Sequence, residues 1–193
     1  MARIDPLPVR EWPEAMRDAV AALRPANPRH PFPEPGPNRP KALNALGTFA
    51  RHPDLARAYN TFNGHVLFGS HISPRQRELL VLRVAVLREC DYERRQHEVL
   101  AADAGLSSDE VGRIAIGPTA SEWSELDAAL LRSVDELIAT GVIGDATWST
   151  LAAHLDTEQL IDVVFTIGAY EILAFAFRSF GVELDDDLKQ QRS

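Results

Sequence analysis

From Pro40 to Phe177 the apolar residues recur at helical spacing, segment after segment, and most segments carry a recognisable start or stop signal. No stretch alternates apolar and polar residues with period two, and no Gly-rich phosphate loop is present. The chain therefore reads as all-α, and the dinucleotide-binding and P-loop classes fall away. Ser73-Pro74 is the clearest start, an N-cap serine followed by proline at the first helical position, ahead of a helix through Glu78, Leu79, Leu82, Val86 and Leu87. A second helix carries Tyr92 to Ala104 and stops at Gly105. Ser107 or Ser108 caps a third, which Gly117-Pro118 ends. His52-Pro53 opens an earlier helix over Leu55 to Leu67, and Glu11 to Leu23 forms a short one near the N-terminus.

The second half follows the same plan. Leu126 to Ala139 is amphipathic, Asp145 caps Trp148 to His154, and Asp156-Thr157 opens a long apolar helix through Phe177. An offset of 83 lays Ser73 on Asp156, Gln76 on Gln159, Leu80 on Val163 and Val84 on Ile167. This reads either as a pseudo-repeat of two helical halves or as two helices of like amphipathicity. The apolar stretch Val163 to Phe177 contains Glu171 and is short for a bilayer, so a buried helix is expected there, with no membrane role.

Seven of the 13 prolines fall between Pro25 and Pro40, which rules out helix or central strand. The segment reads as an extended surface linker or as an arm that packs on a neighbouring subunit. The expected organisation is an N-terminal helix and Pro-rich arm over 1–40, a helical domain over 41–184 and an acidic, polar tail over 185–193. With 20 basic and 28 acidic residues the net charge is −8, which argues against nucleic acid as a partner. A single cysteine forms no intrachain disulfide and favours a reducing compartment. With no apolar run at the N-terminus, the cytoplasm is the expected location.

That cysteine sits in the segment with the most chemistry. Cys90, Glu93 and His97 are spaced i, i+3, i+7, which on a helix aligns a thiol, a carboxyl and an imidazole along one stripe. Cys90 falls where a turn gives way to a helix, so the helix dipole would favour its thiolate, while Asp91 and Glu93 oppose it. It reads equally as a small buried hydrophobe. His97 is a general acid or base, or a surface histidine paired with Glu93. Glu78, flanked by an apolar run on the preceding helix, is either half-buried with a raised pKa or a solvated first-turn glutamate. Glu93 and His97 could share a metal ion with Cys90, His65 or His71, but no zinc-type spacing supports it and no metal or cofactor is expected.

Three segments together resemble a known family: Leu79-Leu80-Val81-Leu82-Arg83-Val84-Ala85, then Cys90-x-Tyr92-Glu93-x-x-x-His97, then Ala101-x-x-Ala104-Gly105-Leu106-Ser107. They resemble the carboxymuconolactone decarboxylase family, related to alkylhydroperoxidase D. Asn44-Ala45-Leu46, His52-Pro53-x-Leu55, Trp123, Asp127, Tyr170 and Gly181-Val182 extend the likeness over about residues 40–184. The resemblance implies an all-α alkylhydroperoxidase D-like fold assembled as a trimer or hexamer. It implies a catalytic group of Glu78, Cys90, Glu93 and His97, in which Glu93 stands where the peroxidase branch has its second cysteine. A self-contained disulfide cycle is then impossible, and an oxidised Cys90 would need an external thiol reductant.

Three functions follow as expectations. The first is a one-cysteine alkylhydroperoxidase-like antioxidant enzyme acting on a hydroperoxide. The second is a cofactor-free decarboxylase or lactone-processing enzyme acting on a small carboxylated compound, with Arg83 or Arg77 as the fixed cation. The third is a non-enzymatic helical oligomer.

Overall fold

The computed structural model describes residues 2–33 and 40–189, and every described element is helical. The helices are α1 (Ala15–Ala21), α2 (Leu43–Phe49), α3 (Pro53–Gly64), α4 (Pro74–Leu87), α5 (Asp91–Asp103), α6 (Ser108–Ile116), α7 (Glu125–Thr140), α8 (Asp145–His154), α9 (Thr157–Phe180) and α10 (Asp186–Lys189). They fall into two compact units, His71–Ala174 and the remainder, with the division inside α9.

In the remainder, Met16, Ala19, Ala50 and Ala56 form a small core under Leu7, Trp12, Val20, Leu46 and Phe49. The N-terminal helix expected from Glu11 begins later, because Pro13 separates a 3₁₀ turn over Val9–Glu11 from α1. The helix expected over Leu55 to Leu67 begins at Pro53, with His52 capping Leu55 N–H, and its last turn widens to a π-helix over His65–Gly69. The first part of the Pro-rich segment docks on that turn. Arg29 and His30 N–H donate to Phe68 O at 2.7 and 3.0 Å, and the Phe32 and Phe68 rings meet edge to face. Pro35 and Pro37 lie outside the described residues. Near the C-terminus, Asn44 N–H donates to Asp185 Oδ1 at 2.7 Å.

The unit His71–Ala174 is organised around α4, which packs on α5, α6 and α7. Nine consecutive α4 residues, Arg77 to Ala85, are buried. A helix enclosed on all sides needs no amphipathic stripe. Its start is the one the sequence signals: Ser73 and Gln76 form a reciprocal capping box with Pro74 at the first position. Asp156 and Gln159 form the same reciprocal pair at the start of α9. Asp145 departs from expectation, since Gly144 is the N-cap of α8 and Asp145 its first helical residue.

The α4–α5 connection fixes Cys90. Glu89 N–H bonds to Val86 O at 3.0 Å and Cys90 N–H to Ala85 O at 2.8 Å, with Glu89 left-handed at φ 50°. This is a Schellman closure with glutamate at the usual glycine position. Cys90 therefore closes α4 and is the N-cap of α5. Gly105 closes α5 the same way, as its place in the sequence predicts.

Arg83 is held rigidly. It pairs with Asp135 through Nε and Nη2 at 2.6 and 2.9 Å and donates to the Ile114 and Ala115 carbonyls. Gly117 follows α6 at φ 104°, where a Cβ would lie 2.6 Å from Arg83 Nη2. Gly117→Ala is thus doubly unfavourable, and a loss of roughly 1–3 kcal/mol is expected in urea unfolding. An unchanged midpoint would contradict this packing.

Candidate functional site

The four residues singled out by sequence all lie in the interior of the unit His71–Ala174. Glu78 and Glu93 are 0% and 1% exposed, Cys90 2% and His97 7%. Glu78 comes from the second turn of α4; Cys90 is the N-cap of α5, and Glu93 and His97 lie in its first and second turns.

Glu78 is the junction. His97 Nδ1–H donates to its Oε2 at 2.7 Å, and Arg77 reaches Oε1 through Nε and Nη2, each at 2.9 Å. Burial alone would raise this carboxyl's pKa. The His97 and Arg77 contacts more than offset that, so the Glu78 pKa lies below its ordinary value. The half-buried glutamate with a raised pKa is corrected on both counts: the group is fully buried and is held as a carboxylate. His97 is likewise no surface partner of Glu93. Its Nδ1 is committed to Glu78, which leaves Nε2 as the other ring nitrogen. The Tyr170 ring stands edge-on to the imidazole, centroids 4.8 Å apart, and helps fix its plane.

Glu93 is in the opposite condition. Neither carboxylate oxygen has a hydrogen-bond partner among the described residues. Burial pushes its pKa well above the ordinary 4.5, and the charge of Glu171 pushes it further the same way. Glu171 itself takes Arg88 on both oxygens, with Nε at 2.8 Å from each. Two buried glutamates 15 residues apart thus have pKa values pushed in opposite directions, Glu78 below the ordinary value and Glu93 above it. Environments that separate two carboxyls in this way are what acid–base chemistry requires.

Neither arginine proposed as a substrate cation is available. Arg83 is spent on Asp135 and two carbonyls, and Arg77 on Glu78. The sequence reading missed the Arg88–Glu171 pair. A signal for it existed, since these residues are 83 apart, the offset that aligns Ser73 with Asp156. Of the histidines raised as metal ligands, His71 is bound to Asp162 through its backbone N–H at 2.6 Å and through Nδ1 at 3.2 Å. Among the described residues no group of three or more His, Cys, Asp or Glu is arranged to hold a metal.

An unpartnered buried carboxyl gives stability a particular pH dependence. The folded chain keeps a proton on Glu93 that the unfolded chain releases near pH 4.5. Stability therefore falls as pH rises from 4.5 toward the raised pKa, by up to about 1.4 kcal/mol per pH unit. Glu93→Gln removes this component, so its advantage over wild type grows with pH across that window. Parallel stability–pH curves for the two proteins would refute the assignment.

Residues 53–142 match the family model of the carboxymuconolactone decarboxylase family. Several solved structures share the fold at low identity. A protein of unknown function from Agrobacterium tumefaciens, described as a putative antioxidant defence protein AhpD, is 22% identical, covers 71% of this chain and 94% of its own, and has a TM-score of 0.66. An uncharacterized peroxidase-related protein from Ralstonia eutropha, described as an alkylhydroperoxidase AhpD core, is 18% identical over 83% of this chain and 94% of its own, with a TM-score of 0.67. The debrominase Bmp8, in a cysteine-to-alanine form complexed with 2,3,4-tribromopyrrole, is 15% identical over 97% of this chain and 94% of its own, with a TM-score of 0.72. A comparison with curated proteins found no significant match. The all-helical fold is therefore alkylhydroperoxidase D-like, as the sequence implied.

Proposed function

We propose that this chain, which belongs through residues 53–142 to the carboxymuconolactone decarboxylase family, is a one-cysteine thiol redox enzyme that reduces small organic hydroperoxides. The observation that carries the reading is Glu93: a buried carboxyl with no hydrogen-bond partner among the described residues and a raised pKa, three residues after Cys90, the N-cap of α5. A carboxyl buried and unpaired costs about 1–3 kcal/mol, so a purely structural role explains it poorly.

In this reading Cys90 is the nucleophile and Glu93 the general acid. His97 Nε2, with Glu78 behind Nδ1, is the final proton acceptor. Successive positions on the stripe are separated by about 4.5 and 6 Å of helix rise, so protons pass through Glu93 or a water rather than directly between Cys90 and His97. The Cys90 thiol loses its proton toward His97, and the imidazolium is stabilised by the Glu78 carboxylate. The thiolate attacks one peroxide oxygen and the O–O bond breaks. The departing alkoxide takes the Glu93 proton, giving an alcohol and a sulfenic acid on Cys90. His97 then returns its proton to Glu93. An external thiol condenses with the sulfenic acid and releases water. A second thiol equivalent frees Cys90 and leaves as the external disulfide.

The decarboxylase reading is weaker because it needs a fixed cation for a substrate carboxylate, and Arg77 and Arg83 are both paired. The non-enzymatic reading leaves Glu93 without a purpose. A single cysteine outside any disulfide also fits a reducing compartment, and we place the enzyme in the cytoplasm.

Peroxide added to the native protein with a sulfenic-acid trap is expected to label Cys90 stoichiometrically, with turnover only when an external thiol is present. Glu93→Gln is expected to slow the peroxide step by about 10²- to 10⁴-fold. A Cys90 that stays inert in the folded protein would overturn the proposal. So would a Cys90→Ser variant that processes lactone acids as fast as wild type.

A further inference from the structure

With Cys90 2% exposed and Glu93 1%, a small molecule reaches them only if something moves. The helices that carry them are poorly suited to moving. A hydrogen-bonded turn joins α4 to α5, and Glu78 is tied to His97 across the pair. Parting the two helices would strand a buried carboxylate without one of its partners, which is strongly unfavourable.

Another element covers the site and is held differently. Tyr170 and Glu171 are neighbours on α9. The Tyr170 ring stands on His97, and the Glu171 charge raises the pKa of Glu93. The same carboxylate takes Arg88, the C-cap of α4, two residues before Cys90. This turn of α9 therefore lies over the stripe of Cys90, Glu93 and His97, and the Arg88–Glu171 pair joins it to the turn that carries the thiol. Unlike the site residues, the pair reaches solvent, its side chains 28% and 18% exposed. Arg88 Nε lies 2.8 Å from both carboxylate oxygens, and Nη2 also donates to Oε1. These contacts are between side chains alone. The Arg88 backbone is held separately, its N–H on Val84 O at 2.9 Å, and Glu171 sits well inside α9. A change of rotamer parts the pair with every helix in place, and water then solvates both charges.

We propose that the Arg88–Glu171 pair is a side-chain latch over Cys90 and Glu93, and that small uncharged molecules reach the thiol when it parts. The latch governs access, and its use in turnover rests on Cys90 being the nucleophile of the proposed reaction. Gating of this kind shields a reactive group from water between encounters.

Iodoacetamide, small and uncharged, measures access to Cys90 in the full chain without peroxide or reductant. Its rate at one fixed pH is compared for wild type, Glu171→Gln and Arg88→Gln, with circular dichroism to check folding. A latch predicts that both variants react at least tenfold faster, because each removes one half of the pair. Charge acting on the thiol alone predicts opposite signs. Loss of the Glu171 charge favours the thiolate, and loss of the Arg88 charge disfavours it. Access through local unfolding predicts a rate that climbs steeply with urea below the transition, whereas a rotamer change exposes little surface and predicts a nearly flat one. Arg113→Gln, which breaks an ion pair with Glu122 from α6, is expected to leave the rate within twofold of wild type. Rate changes of opposite sign in the two latch variants overturn the proposal, as do rates equal to wild type. A steep urea dependence overturns it in wild type alone, whether or not the variants fold. A latch supported in this way, in a protein whose Cys90 forms no sulfenic acid with peroxide, would sink the peroxidase reading and leave the latch standing.

Discussion

The Arg77–Glu78–His97 chain ties α4 to α5 inside the protein, and the geometry of the candidate site depends on it. A fully buried carboxylate survives only if its charge is answered on the spot. Arg77, adjacent on the same helix, supplies a two-nitrogen contact to one oxygen, and His97, 19 residues on, takes the other. The second contact sets how α5 lies against α4. It also selects the tautomer of His97. Because α5 is one rigid helix closed by hydrogen-bonded turns at both ends, fixing His97 also fixes Glu93 and Cys90 one and two turns back.

Within that frame the two glutamates diverge although both are buried. Glu78 receives three donor contacts and is held as a carboxylate. Glu93 receives none among the described residues and its pKa is raised, with Glu171 adding to the effect although Arg88 pairs with it. Burial is the same in both cases, so partner supply decides the outcome. The peroxidase reading rests on this asymmetry: two carboxyls of opposite pKa shift on the same packed helix pair, with Cys90 three residues before Glu93.

Much of the fold was legible in the sequence because helix ends are local events. Ser73-Pro74, Gly105 and Ser107 act through their own backbone and nearest neighbours, and each caps or closes a helix where the pattern puts it. Where the reading slipped, the cause was a neighbour distant in sequence or a choice between adjacent residues. Gly144 rather than Asp145 caps α8. The fate of Glu78 could not be read from its own helix, because the group that inverts its pKa lies 19 residues away. Arg83 looked like a substrate anchor, but Asp135 and the Ile114 and Ala115 carbonyls engage it. The apolar helix α9 was expected to be buried, but Ile161, Phe165 and Ile172 on it are exposed, since apolar composition reveals hydrophobicity but not which side of a helix meets a neighbour. The i, i+3, i+7 stripe of Cys90, Glu93 and His97 was readable, because spacing along one helix is enough to define a face.

The opposed states of the two glutamates can be read directly. Infrared difference spectroscopy of wild type against Glu93→Gln at pH 7 reports the protonation of that one side chain. The structure predicts a protonated-carboxyl C=O band present in wild type and lost in the variant, with the carboxylate stretches unchanged. Loss of carboxylate stretches without any carboxylic-acid band would show that Glu93 is ionised, and the acid–thiol account of this site would fail.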